Sequence, residues 1–374
     1  MSKMIAPPQG KTDWPWVPSS ENLSKDLIKN KLWPKISIVT PNYNQGQFIE
    51  ETIRSILLQD YPNLEYIIID GGSTDNSVEI IKKYEQWLTY WVSEADSGQT
   101  NALNKGFEKA TGDLIAWMNA DDIYMPGALI QVGQSWINNK KKDNIFIYGN
   151  AEIYNELRGI SNYRNLENFS VDILSRESFF CSASSFFTKE HFEHVGRFDE
   201  SLHYGFDFDF WIRLTEDSHN VHIPHILAKC RIHDDCKSGH SRLKFFIEDI
   251  HIVERYSFSK RVVAYRIRNL IREIIQKDNN LIGKSLVAKI RNLFNEYEEY
   301  TGYKSIGENI FRESVGEYCF RMCGKSWTNF NFKALIQWYW CGFCLLGKYI
   351  FLPRWWIAIL TVGRFGERIW REKV

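Results

Sequence analysis

The chain has no excess of charge of either sign: 46 Lys and Arg residues balance 46 Asp and Glu residues among 374 positions. Without net charge there is no global field to recruit nucleic acid, so we expect no nucleic-acid partner. The sequence also lacks a G-x-G-x-x-G dinucleotide motif and a G-x-x-x-x-G-K-[ST] P-loop. Phosphate groups, if they bind, must therefore be held in another way.

Long apolar runs are also missing. The uncharged stretch at 334–347 is shorter than the ~20 residues that a transmembrane helix needs, and residues 1–8 have no apolar core of a signal peptide. Segment 334–370 is Trp-rich and basic, which is typical of peripheral contact with an anionic membrane leaflet, or of helices packed on the main domain. We predict a cytoplasmic protein. If segment 334–370 contacts the membrane rather than the main domain, the protein lies at the inner face of the cell membrane.

Cysteine usage points to the same compartment. The seven Cys residues are scattered and odd in number, which favours reduced thiols in a chain of this length. A zinc site formed by Cys319, Cys323, Cys341 and Cys344 is disfavoured, because the first spacing departs from the usual pattern.

Four apolar runs, at 36–40, 64–69, 90–93 and 114–118, alternate with segments of helical periodicity. Such alternation predicts an α/β fold with a mostly parallel, Rossmann-like central sheet flanked by helices. We divide the chain into an extended N-terminal arm (1–34), an α/β domain (35–240) and a helical C-terminal region (241–374). Within the domain, we expect residues 151–175 to be irregular.

Each of the four strands ends in a polar loop, and parallel strands present their carboxyl ends at one edge of the sheet, where ligands bind. Two adjacent carboxylates, Asp121 and Asp122, follow the fourth strand. Adjacent carboxylates repel each other unless a cation lies between them, and paired hard oxygen ligands suit Mg²⁺ or Mn²⁺ that also contacts substrate phosphates. The alternative is that the pair only caps the next helix.

Two further groups could complete a site. Asp207 and Asp209 lie in the first turn of a predicted helix, where a carboxylate could act as a general base or merely complement the helix dipole. His233 follows a predicted strand, and its imidazole could bind a metal or a diphosphate, or simply lie at the surface.

Five motifs occur in an order that resembles family 2 glycosyltransferases, the inverting family with the GT-A fold. They are Ile38-Val-Thr-Pro-Asn-Tyr-Asn-Gln-Gly46, Ile69-Asp-Gly-Gly-Ser-Thr-Asp75, Ser93-Glu-Ala-Asp-Ser-Gly-Gln99, Asn119-Ala-Asp-Asp122 with Pro126-Gly127, and Asp207-x-Asp-x-Trp-x-Arg-Leu214. The resemblance covers roughly 35–240. No Q-x-x-R-W motif is present, so the chain does not resemble a processive synthase.

The resemblance implies a nucleotide-sugar donor (usually a UDP-sugar), a divalent metal (Mg²⁺ or Mn²⁺) and a glycan or lipid-linked acceptor. It makes Asn119-Ala-Asp121 the counterpart of the family's D-x-D motif, with the metal on Asp121 helped by Asp122 and His233, and it makes Asp207 the catalytic base. It implies donor-binding roles for Thr40, Pro41, Tyr43, Asn44, Asp70, Gly72, Asp96, Gln99, Asn104, Asn119 and Ala120, and acceptor-side or diphosphate-side roles for Asp209, Trp211, Arg231 and Lys237.

The expected activity is transfer of a single sugar with inversion. Two alternatives remain open at this point: a nucleotidyltransferase on a similar sheet, and a sugar-binding protein without turnover. The first is disfavoured by the loop after the first strand, 41–46, which has no Lys or Arg.

Overall fold

The structure is a computed structural model. It describes residues 5–18, 32–140, 142–166, 174, 181–237, 241–278, 281 and 284–301, together with scattered positions between 311 and 345. The chain divides into two compact units, Met1–His240 and Ser241–Val374.

The first unit begins as four parallel strands in the order β3-β2-β1-β4. The strands are β1 (Ile36–Asn42), β2 (Leu64–Asp70), β3 (Tyr90–Ser93) and β4 (Leu114–Trp117), and the helices between them are α1 (Ile49–Leu57), α2 (Ser77–Tyr84) and α3 (Gln99–Lys109). Strands β1 and β4 are buried throughout, which explains why they appear in the sequence as continuous apolar runs. This half of the fold is as predicted.

The second half makes the sheet mixed. It contains β5 (Ile123–Tyr124), β6 (Ile145–Asn155), β7 (Ile160–Arg164), β8 (Ser185–Thr188) and β9 (His219–Ile232), with the helices α4 (Ala128–Asn139), α5 (Lys189–Val195) and α6 (Phe206–Glu216). Strand β8 lies antiparallel between β4 and β6, whereas β9 runs parallel to β6. Strands β6 and β7 form a hairpin, so the prediction that 151–175 is irregular was wrong for this part.

An aromatic cluster fills the space between the sheet and α6. The rings of Trp117 on β4 and Trp211 on α6 stack with centroids 5.1 Å apart, and Phe187 and Phe210 contact both rings. Burying a ring of this size contributes several kcal/mol. The cluster therefore fixes α6, and with it Asp207, against the sheet.

The N-terminal segment 5–18 packs on α1. The guanidinium of Arg54, which is 2% exposed, donates to the backbone carbonyls of Ile5, Pro15 and Trp16 at 2.9, 3.2 and 2.6 Å. The indole of Trp14 donates to the carbonyl of Tyr124 at 2.8 Å. Because a buried guanidinium requires acceptors, Arg54 makes this segment part of the folded unit.

The second unit contains α7 (Arg242–Arg255), α8 (Lys260–Lys277) and α9 (Lys284–Thr301). A buried ion pair of 2.7 Å joins Arg266 on α8 to Asp249 on α7. Among the described residues, no helix is both long and apolar enough to cross a membrane. Most of 334–370, including Cys341 and Cys344, lies outside the described residues, as does Cys323.

The expectation of reduced thiols needs a correction. Cys181 and Cys230, 49 residues apart, form a disulfide in the structure, whereas Cys236 and Cys319 are buried cysteines outside it. The bond links the segment before β8 to β9, a pairing that the spacing of the cysteines in the sequence does not reveal.

Candidate active site

Hydrogen bonds join the carboxyl ends of β1, β2 and β3 into one edge. Asn42 lies opposite Asp70, and Asp70 lies opposite Ser93. The carboxylate of Asp70 accepts from Asn42 Nδ2 at 2.6 Å, Ser93 Oγ at 2.5 Å, and both the Oγ and N–H of Ser73 at 2.5 and 3.0 Å. The convergence predicted from the parallel topology is present in the structure.

The same bonds change the assignment of Asp70. Its carboxylate is fully buried and accepts four hydrogen bonds, so it has little capacity left to bind a nucleoside. Thr40 and Pro41 are buried as well, and the Thr40 hydroxyl lies 3.1 Å from that of Tyr66. We reassign Asp70, Thr40 and Pro41 from ligand contact to the support of the two loops that follow β1 and β2.

Those loops present accessible groups. Tyr43 is 59% exposed. Asn44 is held by its N–H to Ser73 Oγ at 2.8 Å and by its Oδ1, which accepts from Thr74 N–H at 2.8 Å. Gly72 has a φ of +81°, a conformation that favours glycine, and a Cβ at this position would lie 3.3 Å from the backbone nitrogen of Ala95. Tyr43 and Asn44 therefore remain candidates for donor contact, whereas the requirement for Gly72 is one of backbone geometry.

The turn after β4 alternates between accessible and buried side chains. Asn119 and Asp121 are partly exposed, whereas Ala120 and Asp122 are buried. Asn119 Oδ1 accepts from Gln99 Nε2 at 2.9 Å, which links α3 to the turn. The two adjacent carboxylates are therefore not equivalent, and only Asp121 can reach a ligand without rearrangement.

Asp122 is occupied by the protein itself. Its Oδ1 accepts the backbone N–H of Arg231 at 2.9 Å, and its Oδ2 accepts from Asn119 Nδ2 at 3.2 Å. Burial, with the neighbouring Asp121 carboxylate, raises the pKa of Asp122 well above its usual value. In the structure Asp122 anchors β9 to the acidic turn, and its predicted help in binding the metal stays a prediction.

His233 holds Asp121 in place. Its Nε2 lies 3.0 Å from Asp121 Oδ2, and its Nδ1 accepts the N–H of Asp235 at 3.2 Å. An Nδ1 that accepts leaves the proton of the neutral ring on Nε2, facing the carboxylate. The ring packs on Phe48 at a centroid distance of 4.3 Å. His233 is thus better suited to orient Asp121 than to bind a metal directly.

The remaining donor set still fits a divalent metal. No three His, Cys, Asp or Glu side chains gather into a metal-binding group in the described part of the chain. Mg²⁺ and Mn²⁺ in phosphate-transfer sites often rely on one or two carboxylates, with the other positions taken by water and substrate phosphates. The carboxylate of Asp121, 17% exposed and oriented by His233, meets this requirement.

Two hydrogen bonds hold the loop that precedes Asp207. Thr100 on α3 donates to the carbonyl of Leu202 at 3.2 Å, and Lys237 Nζ donates to the carbonyl of His203 at 3.2 Å. Asp207 itself lies in the first turn of α6, partly exposed, and accepts the N–H of Phe208 at 2.8 Å. The loop before Asp207 thus contacts both the helix that carries Gln99 and the segment after His233.

Two predicted acceptor-side residues are structural. Asp209 is 1% exposed, and its Oδ2 accepts from Arg213 Nε and Nη2 at 3.1 and 3.0 Å. Trp211 is 2% exposed within the aromatic cluster. Because both side chains are buried, the prediction that they contact an acceptor or a diphosphate was wrong.

Asn104 and Arg231 also have internal partners. Asn104 exchanges hydrogen bonds with the backbone of Phe198 at 3.0 and 3.1 Å and donates to Glu200 at 2.8 Å. Arg231 Nη2 lies 2.5 Å from Glu51 Oε2. Asn104 is therefore reassigned to holding the 198–200 loop. Arg231 is paired with Glu51, a residue that no motif in the sequence singles out.

Comparison with known proteins agrees with this geometry. The family model Glycosyl transferase family 2 matches residues 37–195. An uncharacterised glycosyltransferase of Haemophilus influenzae is 30% identical over 229 residues, which cover 55% of this chain and 68% of that protein. One from Rickettsia typhi is 28% identical over 216 residues, covering 56% and 67%. A glycosyltransferase named for teichuronic acid biosynthesis, TuaG of Bacillus subtilis, is 38% identical over 92 residues, covering 24% and 36%.

Among solved structures, the crystal structure of S. aureus TarS 1–349 matches with a TM-score of 0.53 and 14% identity, covering 80% of this chain and 89% of that one. The curled α/β sheet with its acidic turn after β4 is of the GT-A type, a fold of glycosyltransferases. The chain belongs to glycosyl transferase family 2. This membership decides against the nucleotidyltransferase alternative.

Proposed function

We propose that this glycosyltransferase moves a single sugar, with inversion, from a nucleotide-sugar donor to a hydroxyl of a glycan or lipid-linked acceptor. The observation that supports it most is the accessible Asp121, oriented by His233 at 3.0 Å. The loop before Asp207 is bonded to Thr100, next to Gln99, and to Lys237, four residues after His233. We expect a UDP-sugar as the donor, and the similarity to TuaG favours an acceptor in cell-envelope polysaccharide synthesis.

In the proposed reaction, Asp121 holds the divalent metal, which when bound offsets the charge that develops on the departing nucleoside diphosphate. Asp207 removes the proton from the acceptor hydroxyl as its oxygen attacks the anomeric carbon in line with the bond to the diphosphate. Asp207 thereby gains a proton, the glycosidic bond forms, and the bond to the diphosphate oxygen breaks. Single in-line displacement inverts the anomeric centre and needs no covalent enzyme intermediate.

Tyr43, Asn44, Asp96, Gln99 and Asn119 are the partly or fully exposed residues that we propose around the donor. Their positions are fixed by groups that do not reach the ligand: Asp70 and Ser73 behind Asn44, and Asp122 behind Asn119. Such an inner layer of hydrogen bonds keeps a site preorganised.

A panel of UDP-, GDP- and dTDP-sugars with Mn²⁺ tests the proposal. We expect release of the nucleoside diphosphate from one donor, accelerated by the acceptor. Release of sugar 1-phosphate would indicate nucleotidyl transfer instead, and binding without any release would indicate a sugar-binding protein.

We also propose that the protein works in the cytoplasm, at the inner face of the membrane, through 334–370. The basic, Trp-rich composition of that segment supports this proposal. Flotation of the full chain with anionic and with neutral vesicles tests it, and equal behaviour with both would contradict it.

A further inference from the structure

Glu51, in the first turn of α1, connects three segments that are far apart in the sequence. Its Oε2 lies 2.5 Å from Arg231 Nη2 at the end of β9. Its Oε1 accepts from Trp16 Nε1 at 3.2 Å and lies 3.6 Å from Lys11 Nζ. The N-terminal segment and the last residues of β9 therefore share one carboxylate.

Arg231, in turn, contacts the acidic turn through its backbone. Its N–H donates to Asp122 Oδ1 at 2.9 Å, and its guanidinium, in a side chain only 8% exposed, lies over the ring of Phe48 at 5.4 Å. The ring of His233 also packs against Phe48, with centroids 4.3 Å apart. Phe48, the residue before α1, and Glu51, three residues later, thus contact His233 and Arg231. These two residues are the ones that contact Asp121 and Asp122.

We propose that Glu51 is a positioning residue for the metal site, acting through Arg231 on the orientation of His233 and Asp121. The inference rests on the proposed function for the role of Asp121. A guanidinium that is mostly buried needs a counter-charge, so loss of the Glu51 carboxylate displaces Arg231 and the strand end that it anchors. Trp16 and Lys11 contact the other carboxylate oxygen of Glu51, so segment 11–16 also helps to position Glu51.

The test is Mn²⁺ affinity, measured by electron paramagnetic resonance with Mn²⁺ alone and with UDP, beside thermal unfolding. Substituting a residue that hydrogen-bonds to a metal ligand typically changes metal affinity by about 10–100-fold. We expect Glu51→Gln to weaken Mn²⁺ binding about tenfold. Trp16→Phe removes the indole donor to Glu51 together with part of a buried ring but leaves the Glu51 carboxylate in place. It should weaken Mn²⁺ binding about threefold, in the same direction.

Glu108→Gln is the matched control, because Glu108 also pairs with an arginine, Arg197, but both are exposed; its Mn²⁺ affinity should equal that of the wild type. The double variant Glu51→Gln/Arg231→Gln should bind Mn²⁺ no more weakly than the worse of its two single variants, because the pair acts as one unit.

Unchanged Mn²⁺ affinity in Glu51→Gln, with only its melting temperature lowered, would overturn the inference, and so would additive losses in the double variant. A wild-type protein that fails to bind Mn²⁺ would overturn it as well. If the wild type binds Mn²⁺ and Glu51→Gln weakens it, but no nucleotide sugar is turned over, the proposed function fails and the positioning role stands.

Discussion

Asp207 and Asp209 are two residues apart on α6, but replacing each by Asn should have different effects. The change at Asp209 should lower stability, and the change at Asp207 should lower turnover. In Asp209→Asn, the guanidinium of Arg213 loses the counter-charge that it contacts at 3.0 and 3.1 Å. Breaking a buried ion pair costs about 3–5 kcal/mol. Arg213 is 20% exposed and keeps its bonds to the carbonyls of Val195 and Gly196, so we expect a loss of about 2–3 kcal/mol in the free energy of unfolding.

In a domain of this size, that loss lowers the melting temperature by roughly 5–10 °C. The turnover of the folded fraction should stay near that of the wild type, because the Asp209 side chain does not reach the site. Asp207→Asn should leave the melting temperature nearly unchanged and lower kcat by about 10²–10⁴-fold, the usual contribution of a general base.

Thermal unfolding and donor turnover, measured on both variants, distinguish the structural role of Asp209 from the catalytic role of Asp207. Arg213→Gln serves as the control, since it breaks the same pair and also removes the bonds to the carbonyls of Val195 and Gly196; it should lose at least as much stability as Asp209→Asn. A stable Asp209→Asn variant with low turnover would refute the structural role of Asp209, and near-normal turnover in folded Asp207→Asn would refute the assignment of the base.

Three further predictions concern residues that support the site. Asn104→Ala removes the hydrogen bonds to Phe198 and Glu200 and should cost about 2–3 kcal/mol of stability in urea unfolding; an unchanged midpoint would contradict this. His191 is fully buried, and burial lowers the pKa of its imidazole to about 4, below the ordinary value of 6.5. Because the unfolded chain then binds the proton more readily, stability should fall by about 2 kcal/mol from pH 7 to pH 5. His191→Phe should remove that part of the pH dependence, and an identical slope in the variant would contradict it. Arg54→Met leaves three backbone carbonyls without their donor and should make segment 5–18 cleavable by limited proteolysis, with about 3 kcal/mol lost; resistance equal to that of the wild type would contradict it.

The first half of the fold could be predicted from the sequence because its physics is local. Strands β1 and β4 are buried along their whole length, so each appears as an uninterrupted apolar run between segments of helical periodicity. Parallel connections then bring the strand ends to one edge, which correctly placed the loops of Asn44 and Asp70 together. The mixed second half depends on pairing between strands far apart in the chain, such as β4 with β8, and this pairing leaves no comparable pattern in the sequence.

Some errors in the site had a readable signal. Side chains two apart on a helix face in different directions, so Asp207 and Asp209 cannot share a role, whereas Asp209 and Arg213 have the i,i+4 spacing of an ion pair. By contrast, nothing local distinguishes Asp121 from Asp122. That choice is made by the N–H of Arg231, 109 residues away from Asp122. The Glu51–Arg231 contact is equally remote in sequence.

The division between the two adjacent carboxylates is the central claim, and one comparison tests it directly. Mn²⁺-dependent release of nucleoside diphosphate is measured for wild type, Asp121→Asn and Asp122→Asn, with EDTA-treated enzyme as the reference. We predict that the turnover of Asp121→Asn is lower than that of the wild type by at least about 100-fold, close to the level of EDTA-treated enzyme, because the accessible carboxylate is lost. Asp122→Asn should retain turnover within about tenfold, since its role is to accept hydrogen bonds from Arg231 and Asn119. The reverse order, or EDTA-treated enzyme at full activity, would contradict the account.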